Sequence, residues 1–174
     1  MNFMDQLLSA LDYLHQQTIV HRDVKPGNLL LSKTMKIKLG DFGMACHENQ
    51  VSTQLCGTYP YCAPEVICKN ANKRQLHDHR SDIWSAGCTL FEMVYGRQPF
   101  KIVDKATFRK QMNSESIMET IDYESPTKVP EPVLHLIKKM LCWLQSSRLT
   151  AKEAKKSVEK YLRIETADSG LPSV

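Results

Sequence analysis

Apolar residues recur every three to four positions in three stretches of the chain, a spacing that predicts helices with a buried face. Residues 1–15 form the first stretch, with leucines along one side. Residues 82–95 are apolar nearly all round, which predicts a helix buried on most sides at the centre of the fold. The third stretch begins near Pro132 and keeps one apolar face as far as Leu144.

Shorter signals predict a further helix and a hairpin. Thr150 and Glu153 have the spacing of a capping box, which places a helix start at this point. The apolar runs 29–31 and 37–39 are separated by polar residues, as in a small β-hairpin. Residues 164–174 are expected to form a flexible tail. The pattern as a whole predicts a mainly helical (α+β) fold with a minor β-hairpin.

Composition narrows the class of protein. The chain has 174 residues, of which 42% are hydrophobic and 24% charged, as in globular domains. The net charge of +4 is scattered rather than concentrated in a stripe, so nucleic-acid binding is not expected. No run approaches about 18 apolar residues, so no membrane span or membrane partner is expected. Six cysteines without a C-x-x-C pair favour reduced thiols and a cytoplasmic or nuclear location.

Three short motifs occur in a fixed order. They are HRDVKPGN at 21–28, DFG at 41–43 and APE at 63–65. In this order they are typical of the catalytic loop, the magnesium loop and the end of the activation segment of protein kinases. The spacing agrees, because Asp41 follows Asp23 by 18 residues and precedes Glu65 by 24. The sequence therefore resembles the eukaryotic protein kinase family.

The resemblance implies ATP and Mg²⁺ as cofactors and assigns a role to each polar residue of the motifs. Asp41 and Asn28 would supply oxygen ligands to Mg²⁺. Asp23 would accept and orient the hydroxyl group of the substrate. Lys25 would place a compact positive charge beside the transferred phosphoryl group. Leu30 occupies the position that packs beneath adenine and would complete the nucleotide contacts.

The activation segment resembles the serine/threonine type of the family. Lys25 and the run GTYPYCAPE at 57–65 are typical of that type. Thr58 would complete a catalytic bridge to Asp23 and Lys25. Gly27 stands where many kinases that prefer basic substrates have glutamate, so the resemblance does not imply a preference for arginine. The expected partner is a protein substrate with a serine or threonine acceptor.

The resemblance also implies structural roles outside the catalytic groups. His21 and Phe42, which precedes Gly43 of the magnesium loop, correspond to members of the hydrophobic spine of the family. Asp82 corresponds to the helix aspartate that anchors the backbone of the catalytic loop. These side chains also fit an interpretation as ordinary core residues.

Further residues correspond to regulatory and stabilising positions. Glu65 and Arg148 would form the buried ion pair that ties the activation segment to the last helices. Arg22 would receive a phosphate attached to the activation segment by an upstream kinase. Ser52 and Thr53 lie 11 and 12 residues after Asp41, where that phosphate is expected.

Residues 1–163 are thus expected to form the carboxy-terminal lobe of a protein kinase domain. Only 20 residues precede His21, and they contain neither a glycine-rich loop nor the strand lysine. The amino-terminal lobe is expected to be absent from this sequence, which would expose apolar surface that it normally covers. Two functions remain open: a kinase catalytic lobe, inactive in isolation, and a non-catalytic kinase-like module that binds other proteins.

Overall fold

The protein is described by a computed structural model that covers residues 1–48, 50, 56–68, 78–125 and 127–169. Helices predominate, and none of those described is long and apolar enough to cross a membrane. Short 3₁₀ turns occupy Pro26–Asn28, Tyr59–Tyr61, Glu115–Thr120 and Gln145–Ser147. In chain order, the helices and strands are α1 (Asn2–Gln16), β1 (Ile19–Val20), β2 (Leu29–Leu31), β3 (Ile37–Leu39), β4 (Cys46–His47), α2 (Pro64–Ile67), α3 (Arg80–Tyr95), α4 (Lys105–Met112), α5 (Glu131–Met140) and α6 (Ala151–Ser169).

Helix α3 forms the centre of the core, as its sequence predicts. Trp84 and Phe91 are completely buried on this helix. A Cβ atom at Gly87 would come within 2.9 Å of the Cβ atom of Met140, so only glycine lets α5 approach α3 this closely. Gly96 ends the helix in the left-handed conformation, with a φ of 67°.

Helix α1 packs its leucine face against the last helix. Leu7, Leu8 and Leu11 are buried, and so are Ala154 and Val158 of α6. This packing confirms the amphipathic pattern at the start of the chain. It also fixes α1 next to the catalytic loop, which begins a few residues after the helix ends.

The predicted hairpin is present with the expected bounds. Strands β2 and β3 are antiparallel, and Leu29 pairs with Leu39 while Leu31 pairs with Ile37. The side-chain oxygen of Gln6 accepts a hydrogen bond from the amide of Ile37 at 2.8 Å, which fastens β3 to α1. The mainly helical fold with a minor hairpin is therefore confirmed.

Two helix ends differ from the sequence prediction. Helix α5 ends at Met140 rather than continuing to Leu144, which is 52% exposed. Beyond the helix, the carbonyl groups of Cys142 and Trp143 accept hydrogen bonds from the Arg148 side chain. At the carboxyl end, α6 runs to Ser169 and so extends past the predicted start of the tail at residue 164.

The capping box and an unpredicted helix show how local hydrogen bonds begin helices. The amide and the hydroxyl of Thr150 each donate to the carboxylate of Glu153 at 2.8 Å, so the predicted start of α6 is confirmed.

Helix α4 was not predicted, because only Phe108 and Met112 face the core. It begins where Asp104 accepts hydrogen bonds from the next amides.

A buried ion pair joins α2 to the segment before α6. The Arg148 guanidinium donates to both carboxylate oxygens of Glu65, at 2.6 and 3.0 Å. It also donates to the carbonyl group of Arg80 at 2.9 Å and lies 5.1 Å from the centre of the Trp84 ring. Because both side chains are almost fully buried, either one alone would leave an uncompensated charge in the core.

Arg148→Ala should therefore lower the free energy of unfolding by about 3–5 kcal/mol, measured by urea denaturation. Lys155→Ala serves as the control, because Lys155 forms an exposed pair with Glu159 within α6. Its effect should stay below about 0.5 kcal/mol. Equal denaturation midpoints for Arg148→Ala and the unaltered protein would contradict the stabilising role of the pair.

Candidate active site

The Asp82 carboxylate holds the backbone of the loop that follows β1. Its two oxygens accept hydrogen bonds from the amide of His21 at 2.9 Å and from the amide of Arg22 at 2.8 Å. His15 Nε2, at the end of α1, contacts the same carboxylate at 3.0 Å. Arg22 has a φ of 67°, a conformation that costs energy for a side chain other than glycine. The buried carboxylate therefore stabilises a loop shape that the backbone alone would avoid.

Asp23 lies at the centre of a dense set of donors. Lys25 Nζ donates to Asp23 Oδ2 at 2.7 Å, and the hydroxyl and amide of Thr58 donate to Oδ1 at 2.7 and 2.9 Å. Lys25 also donates to the Thr58 hydroxyl at 2.7 Å, and Asn28 Nδ2 lies 3.1 Å from Asp23 Oδ2. Asp23, Lys25 and Thr58 thus form one connected group, with Asp23 only 4% exposed.

These contacts decide the charge of Asp23. Burial by itself raises the pKa of the carboxyl group, but hydrogen bonds from Lys25 and Thr58 and the charge of Lys25 lower it more. The net result is a pKa below the ordinary value of 3.8. Asp23 is therefore an ionised acceptor at neutral pH, and its side chain is held in one orientation.

Gly57 lets the activation segment reach the catalytic loop. Its φ is 98°, and a Cβ atom at this position would lie 2.7 Å from the carbonyl oxygen of Arg22. Both features exclude other residues without rearrangement. The glycine is in the run that indicates the kinase type, but the sequence does not reveal which backbone atom it must avoid.

Asn28 and Asp41 lie at the open end of the hairpin. The amide of Gly40 donates to the carbonyl group of Asn28 at 2.9 Å, which extends the β2–β3 ladder to the residue before Asp41. Asn28 uses its nitrogen to bond the backbone carbonyl of Asp23 at 2.8 Å, so its side-chain oxygen is the atom suited to a cation. The Asp41 carboxylate is exposed and accepts a bond from the amide of Gly43 at 3.3 Å.

This pair fits magnesium but does not form a complete cage. The described residues include no group of three or more His, Cys, Asp or Glu side chains arranged for a metal ion. One carboxylate and one amide oxygen agree with Mg²⁺, which commonly takes one or two protein ligands and fills its other positions with water and phosphate. Asn28 and Asp41 could therefore hold the ion if phosphate oxygens completed its shell.

His21 and Phe42 are in contact next to this site. The His21 ring is completely buried, bonds the carbonyl group of Gly40 at 3.0 Å and meets the Phe42 ring edge-on at 5.0 Å between centres. Phe42 itself is 49% exposed. The two expected spine residues therefore touch, and about half of the Phe42 side chain stays exposed among the residues that the structure describes.

An exposed apolar face surrounds the open end of the hairpin. Leu30, at the expected adenine position, is 60% exposed. Large hydrophobic side chains rarely cluster on a surface unless another molecule or domain covers them. We call this surface the cleft face, and its members are Leu30, Phe42 and Met44.

The expected regulatory residues are only partly described. Arg22 Nε donates to the carbonyl group of Met44, so its side chain lies along the beginning of the activation segment. Ser52 and Thr53 fall outside the described residues. Their relation to Arg22 therefore stays a prediction.

Glu48 and His79 connect the activation segment to the residue before α3, a contact that the sequence pattern does not predict. Glu48, after β4, bonds His79 Nδ1 at 2.7 Å, and the His79 ring lies 5.4 Å from the ring of His15. Burial raises the pKa of Glu48, but the hydrogen bonds from His79 lower it more. No sequence motif marks this contact, because its members lie far apart along the chain.

Comparison with known proteins agrees with this geometry. The family model described as protein kinase domain matches residues 1–158, so the chain belongs to the protein kinase domain family. It is 37% identical over 143 residues to the serine/threonine-protein kinase PLK2 of Mus musculus, an alignment that covers 80% of this chain and 19% of the relative.

Other serine/threonine-protein kinases are similarly related. PKH1 of Saccharomyces cerevisiae is 36% identical over 170 residues, which covers 88% of this chain and 21% of PKH1. The protein plk-1 of Caenorhabditis elegans is 35% identical over 162 residues, which covers 88% of this chain and 22% of that protein. The chain therefore spans about a fifth of the length of these relatives.

The electrostatics of the site can be tested by titration. Carbon-13 NMR of the Asp23 carboxyl group should give a midpoint below 3.8, and Lys25→Met should raise it because a hydrogen bond and a positive charge are lost. Lys139→Met, on the exposed side of α5, should leave it unchanged. An Asp23 midpoint that does not respond to Lys25→Met would contradict the described arrangement.

Proposed function

We propose that this chain carries the catalytic groups of a serine/threonine protein kinase and transfers the γ-phosphoryl group of ATP to protein hydroxyls. The observation that supports this most is the ionised, nearly buried Asp23, held by Lys25, Thr58 and Asn28. A fixed anionic acceptor is what a substrate hydroxyl needs to align with the phosphoryl group. The family membership supports the same function.

Each group has a defined task in this proposal. Asp23 accepts a hydrogen bond from the substrate hydroxyl and then its proton, while Thr58 holds the carboxylate in place. Lys25 supplies positive charge next to the transferred group. Asn28 and Asp41 would hold Mg²⁺, which would neutralise charge on the phosphate oxygens. Leu30 would pack against the adenine ring.

We further propose that catalysis requires a kinase amino-terminal lobe on the cleft face. Exposed Leu30 and Phe42 support this, because an apolar surface next to the catalytic groups needs a cover. A second lobe would also supply phosphate contacts beyond Asn28 and Asp41. The alternative, a non-catalytic module that uses this surface to bind proteins, predicts no phosphoryl transfer even when that lobe is provided.

A fusion of this chain behind the amino-terminal lobe of a related kinase tests the proposal. Transfer of radiolabelled phosphate to a serine peptide should be readily detected with the fusion. The 174-residue chain alone should be about 10³–10⁴-fold slower if the lobe supplies roughly 5 kcal/mol of transition-state stabilisation. Asp23→Asn in the fusion should lower kcat by about 10²–10⁴-fold.

Asp41→Asn should also silence the fusion, and raising the Mg²⁺ concentration should recover part of its activity. Asp12→Asn is the matched control, because that carboxylate lies on the surface of α1, where it accepts a hydrogen bond from Gln16. It should leave kcat unchanged. Full activity of Asp23→Asn would refute the proposed role of this residue, and an inactive but folded fusion would favour the protein-binding module.

Regulation by phosphate on the activation segment is a separate proposal. A phosphate on Ser52 or Thr53 would add about −2 charge and could pair with the Arg22 guanidinium. In the fusion, phosphorylation at either position should raise kcat/KM. Arg22→Gln should reduce the ratio of phosphorylated to unphosphorylated activity to about one, whereas Arg22→Lys should keep part of the response. An undiminished response in Arg22→Gln would rule out this pairing.

A further inference from the structure

A cavity of about 660 Å³ opens beside the segment that contacts the catalytic loop. One wall is the 3₁₀ turn that begins at Tyr59, and the opposite wall is the loop between α3 and α4. Side chains that line it include Tyr59, Arg97, Phe100, Lys101 and Lys105. No residue of this cavity takes part in the phosphoryl-transfer chemistry proposed above.

The cavity lies close to the acceptor position. Tyr59 follows Thr58, whose hydroxyl bonds Asp23 at 2.7 Å. Lys105 Nζ lies 5.3 Å from the centre of the Tyr59 ring, a distance at which a cation is attracted to the ring face. The Lys105 charge thus lies against Tyr59, and the residue before Tyr59 is Thr58, which bonds Asp23 directly.

The acidic side chains in the cavity wall already have partners. Glu92 accepts a hydrogen bond from the Tyr61 hydroxyl at 2.6 Å, and burial together with this carboxylate raises the pKa of Tyr61 to about 12. Asp122 pairs with Arg97 at 2.8 Å. Both carboxylates are therefore committed to contacts within the protein.

Two positive charges remain in the lining. Lys101 and Lys105 have no carboxylate partner among the residues that the structure describes. The nearby Asp104 carboxylate is engaged with the first amides of α4. Glu92 keeps its charge because its partner Tyr61 is neutral, so three cations against two carboxylates leave the lining with a net charge of +1.

The catalytic loop adds no opposing charge at Gly27. This residue has no side chain, and a Cβ atom placed there would find only the Lys25 Cε atom, at 4.0 Å. The carboxylate of Asp23, in the same loop, is paired with Lys25. A substrate that reaches the acceptor position past Gly27 therefore meets open space there and no unpaired carboxylate of this loop.

We propose that the cavity is a substrate subsite that selects an acidic residue near the acceptor serine or threonine. Lys101 and Lys105 would attract its carboxylate, and the Tyr59 and Phe100 rings would pack against its aliphatic part. The inference rests on the proposed kinase function for the identity of the ligand as a protein substrate. The binding itself requires neither ATP nor phosphoryl transfer.

Peptide binding to the 174-residue chain tests the subsite without catalysis. The probes are fluorescein-labelled serine peptides of one sequence, in which aspartate, alanine or lysine is moved through the four positions on each side of the serine. Fluorescence anisotropy should show about fivefold to tenfold tighter binding for aspartate than for alanine at one or two positions. The preference should weaken in high salt.

Charge reversal identifies the groups responsible. In Lys101→Glu/Lys105→Glu, aspartate should lose its advantage and lysine should gain one at the same peptide position. Lys139→Glu is the control: it makes the same change of charge at one exposed site on α5, away from the cavity. This variant should keep the aspartate preference. Circular dichroism would verify that all variants are folded.

Several results would overturn the subsite. They are equal binding of aspartate and alanine peptides, tightest binding of lysine peptides through Glu92, and an aspartate preference that persists after charge reversal. The kinase proposal is tested separately, by phosphoryl transfer from the fusion to an alanine-flanked peptide. That transfer does not depend on a preference for aspartate. Conversely, a lysine-dependent aspartate preference in a fusion that transfers no phosphate would support the subsite and refute the kinase function.

Discussion

The carboxylate of Asp82 links the helical core to the catalytic loop. It is completely buried on α3, yet it accepts hydrogen bonds from two consecutive amides of the loop and contacts His15 of α1. A carboxylate buried in this position is tolerated only because its oxygens are satisfied by these donors. The loop in turn is fixed in a conformation that includes the unfavourable φ of Arg22. The position of Asp23 therefore depends on an interaction made by the core rather than by the loop itself.

The same principle recurs close by, also at the beginning of α3, where Arg148 donates to the carbonyl group of Arg80. The Arg148 guanidinium is surrounded by the carboxylate of Glu65 and by carbonyl groups from three residues, which it draws toward the core. A purely apolar core could pack as tightly, but it would not specify which carbonyl groups turn inward. Buried charges thus set the path of the chain at two places, while the apolar residues of α1, α3 and α6 supply most of the burial.

The parts of the structure that sequence predicted well are those controlled by local pattern. The hairpin follows from two apolar runs around a polar turn, and the start of α6 follows from the Thr150 capping box. The catalytic, magnesium and APE motifs located the candidate site because their order and spacing are distinctive. What the sequence missed depends on contacts between distant segments. Helix α4 shows only two buried side chains, and the Glu48–His79 pair has no local signature.

The hairpin has a consequence for how binding events are coupled. Asn28 and Asp41 lie at its open end, while Leu30, on strand β2, belongs to the cleft face. A molecule that covers Leu30 would restrict the motion of the strands that position the two oxygen ligands. Cation affinity and association at the cleft face would then be thermodynamically linked, and each would strengthen the other by the same factor. The hairpin would be the structural element that couples the two binding equilibria.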